Sequence, residues 1–120
     1  MGTLKIKRAY IDAGPEDGYR ILVDRLWPRG VTKEAAAIDE WAKEITPSTE
    51  LRKWFGHKEE NFNKFREQYL VELDANPKAF AFAKHCEELL TNGNVTLVYG
   101  ARSTTCNHAL ILKDWILEHT

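Results

Sequence analysis

Apolar and polar positions change period several times along the chain, and each change marks a predicted element. Leu4 and Ile6 alternate with Lys5 and Lys7, so residues 4–10 read as a strand with one wet face. Gly14-Pro15-Glu16-Asp17-Gly18 is a cluster of turn formers. Residues 19–24 form a second strand, whose continuous apolar run predicts burial on both faces. Pro28 and Gly30 end regular structure there. Thr32 caps a short helix with Glu34 in its first turn, and Ile38 to Ile45, with Trp41, reads as a second short helix stopped by Pro47. Ser48 caps residues 49–55, and Gly56 stands where a glycine ends a helix. Phe62, Phe65, Tyr69 and Leu73 give an amphipathic helix over 59–74. Asn76-Pro77 opens the next, with Ala79, Phe82, Ala83, Cys86 and Leu90 as its buried stripe and Gly93 past its end. Residues 95–99 are a third, mostly apolar strand; a small-residue loop follows, then a last helix over 107–118.

The order strand, strand, helices, strand, helix predicts one α/β domain over residues 1–120. Its sheet has about three to four strands, at least partly parallel, with helices packed on it. The segment between the second and third strands far exceeds the roughly dozen residues that a parallel crossover needs, so these two are read as parallel. Residues 11–18 are too short for a full helix, which leaves both a parallel and a hairpin arrangement open for the first two strands. Ligands of open α/β sheets collect at the carboxyl ends of the strands. Here those ends are Asp24–Gly30 and Tyr99–Asn107, the two loops richest in chemistry.

Composition narrows the function classes. A chain of 120 residues buries enough surface for one core and not two. Seventeen Lys and Arg stand against 18 Asp and Glu, a net charge of −1, which excludes the basic coat of a dedicated nucleic-acid binder. The charges are unevenly placed: residues 1–33 carry seven basic against four acidic, residues 34–76 six against ten. No stretch reaches the ~20 apolar residues of a membrane helix. The first residues lack the apolar region of a secretory signal, and Ile6 breaks the myristoylation pattern. Two cysteines, Cys86 and Cys106, make no disulfide framework, and a reducing cytoplasm fits them.

Asp24-Arg25-Leu26-Trp27-Pro28-Arg29-Gly30 puts one carboxylate, two guanidiniums and an indole at a strand end. One reading is an anion pocket walled by Trp27, because guanidinium binds carboxylate or phosphate with paired hydrogen bonds. The other is an internal Asp24–arginine pair with Trp27 in the core. Arg102-Ser103-Thr104-Thr105 precedes a helix and could hold an anion there, or Thr105 or Asn107 could simply cap that helix. Cys106 stands at the same helix start, where a thiol is activated, or it is a small buried residue beside a surface His108. Cys86, on an apolar stripe, reads as core. His57, between two helices, suits a general base or a loop residue. Four histidines without metal-ligand spacing support a metal site only weakly and assign no metal ligand, no P-loop is present, and the cofactor is unknown from sequence.

Val23-Asp24-Arg25-Leu26-Trp27-Pro28-Arg29-Gly30 resembles the YeaO-like branch of DUF488, a family catalogued as a domain of unknown function. The likeness continues through Lys33-Glu34-Ala35, Asp39-Glu40-Trp41, Thr46-Pro47-Ser48, residues 50–57, Phe65-Arg66 and residues 95–99. It implies a compact α/β protein with a partly parallel sheet, and it does not assign an activity. After the last strand the branch implies Ala-Lys-Asp and a His-Asn pair. This chain has Ala101-Arg102-Ser103 and Cys106-Asn107, so it lacks a carboxylate at 103 and an imidazole at 106.

The first functional expectation is a small cytoplasmic protein, enzyme or binding domain, that holds an anionic small molecule at the strand ends. Arg25, Trp27, Arg29, Ser48, Arg52, Tyr99, Arg102 and Asn107 would bind, and Asp24, His57 and Cys106 are the catalytic candidates. The alternatives are a nucleic-acid-associated accessory protein, which needs the N-terminal basic residues on one face, and a non-catalytic partner-binding module.

Overall fold

A computed structural model describes residues 2–120. Its four strands are β1 (Leu4–Arg8), β2 (Tyr19–Leu22), β3 (Glu40–Trp41) and β4 (Val95–Tyr99). They form one sheet in the order β1-β4-β2-β3, with every pair parallel. Leu4 and Tyr19 both register with Val95, so β4 lies between the first two strands. The choice between a parallel and a hairpin arrangement is thereby resolved as parallel, with each of β1 and β2 paired to β4 rather than to the other. The short 9–18 connection, with a 3₁₀ turn at Pro15–Asp17, carries the chain past the β4 position.

Five helices complete the fold: α1 (Lys33–Ala36), α2 (Thr49–Phe55), α3 (Phe62–Asp74), α4 (Pro77–Leu90) and α5 (His108–Glu118). The alternation of each strand divides its residues between the two faces of the sheet. Leu4, Ile21, Val23, Val95, Leu97 and Tyr99 share one continuous core with the buried stripes of α3, α4 and α5. The opposite face has no long helix. It carries a small cluster of Ala9, Leu22 and Val98 under Trp27, Ile38 and Trp41. Beside that cluster Asp17, only 1% exposed, takes hydrogen bonds from Arg20 Nη1 at 2.7 Å, Lys7 Nζ at 3.1 Å and Gly14 N–H at 3.0 Å. Burial pushes the Asp17 carboxyl up, but these donors outweigh it and hold it below the usual carboxylate range.

The helix predicted over Ile38 to Ile45 is not formed. α1 ends at Ala37 in the left-handed conformation, φ 48°. The chain then pairs with the edge of β2, with Asp39 N–H to Arg20 O at 2.8 Å and Ala42 N–H to Leu22 O at 2.9 Å. A single 3₁₀ turn, Lys43–Ile45, follows. Sheet hydrogen bonds to β2 are stronger here than the weak helical preference of so short a segment.

Candidate functional site

The carboxyl ends of β2 and β4 meet α2 and the start of α5 in a cleft of about 350 Å³. Its floor is buried or half-buried: Asp24, Phe55, Phe65, Asn107 and His108. Arg25, Leu26, Lys53 and His57 stand exposed at its rim, with Thr46, Pro47, Thr49, Arg52 and Ala101 between. Two folding signals build this place. Ser48 caps α2 by accepting from Leu51 N–H at 3.2 Å, which turns Thr49, Arg52 and Lys53 towards the strand ends. Asn107 caps α5 by accepting from Leu110 N–H at 2.9 Å and donates to Ser103 O at 3.0 Å, which seats His108 against β2.

His108 Nε2 lies 2.8 Å from Val23 O and 3.4 Å from Asp24 Oδ1. A carbonyl only accepts, so the proton is on Nε2. Asp24 Oδ2 accepts from Gly100 N–H at 2.8 Å, which ties the ends of β2 and β4 together. A side chain on Gly100 would press on this carboxylate, its Cβ falling 2.9 Å from Asp24 Oδ2. Burial pushes the Asp24 carboxyl up, against the pull of His108, the Gly100 N–H, His57 and Arg52. Burial likewise pushes the His108 imidazole down, against Asp24 and the Val23 carbonyl.

The cationic side is different in kind. Arg25 Nη1 at 3.3 Å and Arg52 Nη2 at 3.4 Å both donate to Thr49 Oγ1. Among the described residues, none of Arg25, Arg52 and Lys53 forms a salt bridge. Arg52 Nε is buried without a partner. Past α2, Gly56 and His57 are both left-handed, at φ 55° and 58°. For a histidine that backbone is uncommon, and such strain gathers at ligand clamps. It carries the imidazole over Phe55, ring centroids 5.8 Å apart. Phe55 in turn stacks on Phe65 at 4.2 Å and 12°.

The cleft therefore brings together Asp24, Arg25, Arg52, His57 and Asn107 from the sequence-predicted set. Of Arg25, Arg29 and Arg102, expected together at the strand ends, only Arg25 lines the cleft. Buried Pro28 and Gly30, at φ 80°, swing the loop after β2 towards the other face of the sheet. There Trp27 packs edge-on against Trp41 and donates to Val31 O, while Arg29 is exposed. Arg102 is exposed outside the cleft, and Tyr99 is buried in the main core. The Ser48 hydroxyl is engaged in its cap. Cys106 precedes the cap of α5 rather than opening the helix, and its N–H is held by Ser103 Oγ at 2.8 Å. Cys86 is core, as its stripe predicts, its thiol pushed up to about 12 by burial and by the charge of Glu40. Among the described residues, no group of three or more His, Cys, Asp and Glu side chains is placed to hold a metal ion.

His108 is the residue that sequence reasoning set aside. Its signal was present: His108, Ile111, Leu112 and Trp115 follow the i, i+3, i+4, i+7 stripe of a buried helix face.

Fold and site define a small all-parallel α/β protein with a cation-rimmed cleft at the carboxyl edge of its sheet. The chain belongs to the DUF488 family: the model described as "Inactive DUF488-N3 subclade" matches residues 3–120. It is 50% identical over 114 residues to the uncharacterized protein YeaO of Escherichia coli, covering 95% of this chain and 96% of that one. It is 36% identical over 111 residues to uncharacterized proteins of Mycobacterium bovis and Mycobacterium tuberculosis, covering 92% of this chain and 91% of each. No solved structure matches. No helix among the described residues is long and apolar enough to cross a membrane.

Proposed function

We propose that this chain is a non-catalytic binding protein that takes an anionic small molecule into the cleft at its strand ends. The observation that carries this reading is the convergence of Arg25 and Arg52 on the Thr49 hydroxyl, with no carboxylate among the described residues within salt-bridge reach of either guanidinium. Like charges gathered without an ion-paired partner repel, and a bound carboxylate or phosphate turns that repulsion into charge-assisted hydrogen bonds. The cleft also lies at the ligand-binding edge of an open α/β sheet and combines apolar walls with few polar groups. The description of the matching subclade as inactive supports binding without turnover.

The N-terminal basic residues weigh against a nucleic-acid surface. Lys7 and Arg20 are both engaged by Asp17, Lys5 donates to Glu16 O, and Arg8 donates to Ala101 O. A thermal-shift screen of anionic metabolites against neutral analogues tests the proposal. Anions raise the melting temperature, by an amount equal to about 2.7 kcal/mol at a hundred times Kd, and the shift is lost in Arg25→Gln and Arg52→Gln. Stabilisation by neutral compounds alone, or shifts equal in both variants, contradicts it.

A further inference from the structure

We infer that the ligand of the cleft is an aromatic monoanion that also carries a hydrogen-bond donor, its anion held by Arg25 and Arg52 and its donor by Asp24 Oδ1. This rests on the anion-binding reading above and goes further, because two buried atoms of opposite character define what the ligand must present. Arg52 Nε is a donor and Asp24 Oδ1 an acceptor. Both are buried and both belong to residues lining the cleft; among the described residues neither has a hydrogen-bond partner, since His108 Nε2, 3.4 Å from Asp24 Oδ1, gives its proton to Val23 O. Buried polar groups are nearly always satisfied, and those that are not point to a missing partner.

A ligand with an anion alone would satisfy Arg52 and leave Asp24 facing a second negative charge. An O–H or N–H on the same molecule reverses the sign of that contact. Asp24 is well placed to select for it. Gly100 N–H fixes Oδ2, so the carboxylate cannot rotate Oδ1 away without losing a 2.8 Å hydrogen bond. A metal ion would also suit a carboxylate oxygen, but Arg25, Arg52 and Lys53 line the same cleft and repel it.

The body of the ligand follows from the walls. Phe55 and Phe65 lie nearly parallel and in contact, and both line the cleft with Pro47 and Leu26. Such apolar, aromatic walls suit a compact planar body, whereas a flexible chain loses more conformational freedom on binding. A volume of about 350 Å³ holds one substituted ring with its acid group.

Benzoate, meta- and para-hydroxybenzoate and the methyl ethers of these two are the probes, with affinities measured by titration calorimetry. At least one hydroxybenzoate is expected to bind about tenfold tighter than benzoate and than its own methyl ether, as for a hydrogen bond to a charged group. In Asp24→Asn that advantage disappears while benzoate still binds, and in Arg52→Gln binding of all five is lost. The ether comparison on the unaltered protein stands even if a variant does not fold. If every probe binds within twofold of benzoate and Arg52→Gln abolishes binding, the donor inference is overturned and the anion reading stands. If none of the five binds, the inference of an aromatic monoanion is overturned, and the metabolite screen decides the anion reading separately.

Discussion

At residue scale, burial acts on Asp24 and His108 in opposite senses, and the two consequences for stability have opposite signs. His108 is harder to protonate in the fold than its ordinary 6.5, so the unfolded chain takes up the proton first. Stability is full above about 6.5 and falls as pH drops from there towards the lower folded value. Asp24 is easier to protonate in the fold than its ordinary 3.8, so its contribution improves as pH falls through the raised value, at the acid end of the range. Urea unfolding between pH 7.5 and 5 should therefore show a loss of stability on the acid side, at most about 1.4 kcal/mol per pH unit for one proton. His108→Gln keeps an N–H for the Val23 carbonyl and should flatten that limb. A wild-type profile that rises as pH falls from 6.5 contradicts the burial of a neutral His108.

At the scale of elements, caps were the most legible feature. Thr32, Ser48 and Asn76 each accept a backbone N–H at the predicted helix start. These are local rules that need only neighbouring residues. The segment 38–45 failed for the converse reason: its structure is set by a partner strand far away in sequence. The loop Trp27–Gly30 failed similarly, because the buried Pro28 and left-handed Gly30 decide its direction, and only the folded sheet shows which face receives Trp27. Arg52 and His57 were expected on the helical segment over the sheet, and both line the cleft. Ser48→Ala should cost about 1 kcal/mol. Asn107→Ala should cost more, because Asn107 is 1% exposed and also leaves the Ser103 carbonyl without its donor. Thermal melting of both variants checks the order; equal losses would contradict the double role of Asn107.

At the scale of the whole molecule, the near-zero net charge resolves into two separate devices. On the face of the sheet opposite the long helices Asp17 neutralises Lys7 and Arg20, the latter 3% exposed. Removing the carboxylate strands a buried guanidinium, so Asp17→Ala should lose about 3–5 kcal/mol, a large share of the usual stability of a small domain. Equilibrium unfolding measures it, and a loss below 1 kcal/mol would show that the pair is dispensable. At the carboxyl edge the opposite holds: Arg25, Arg52 and Lys53 are left without ion pairs among the described residues. The central claim is that these unpaired cations form an anion site. The most direct test is the amide spectrum of the isotopically labelled chain, titrated with benzoate and repeated on Arg52→Gln. Saturable shifts confined to residues 24–26, 49–57 and 107–108 are expected, all lost in the variant. Shifts centred on Trp27, Arg29 or Arg102, or unchanged by the Arg52 substitution, would contradict it.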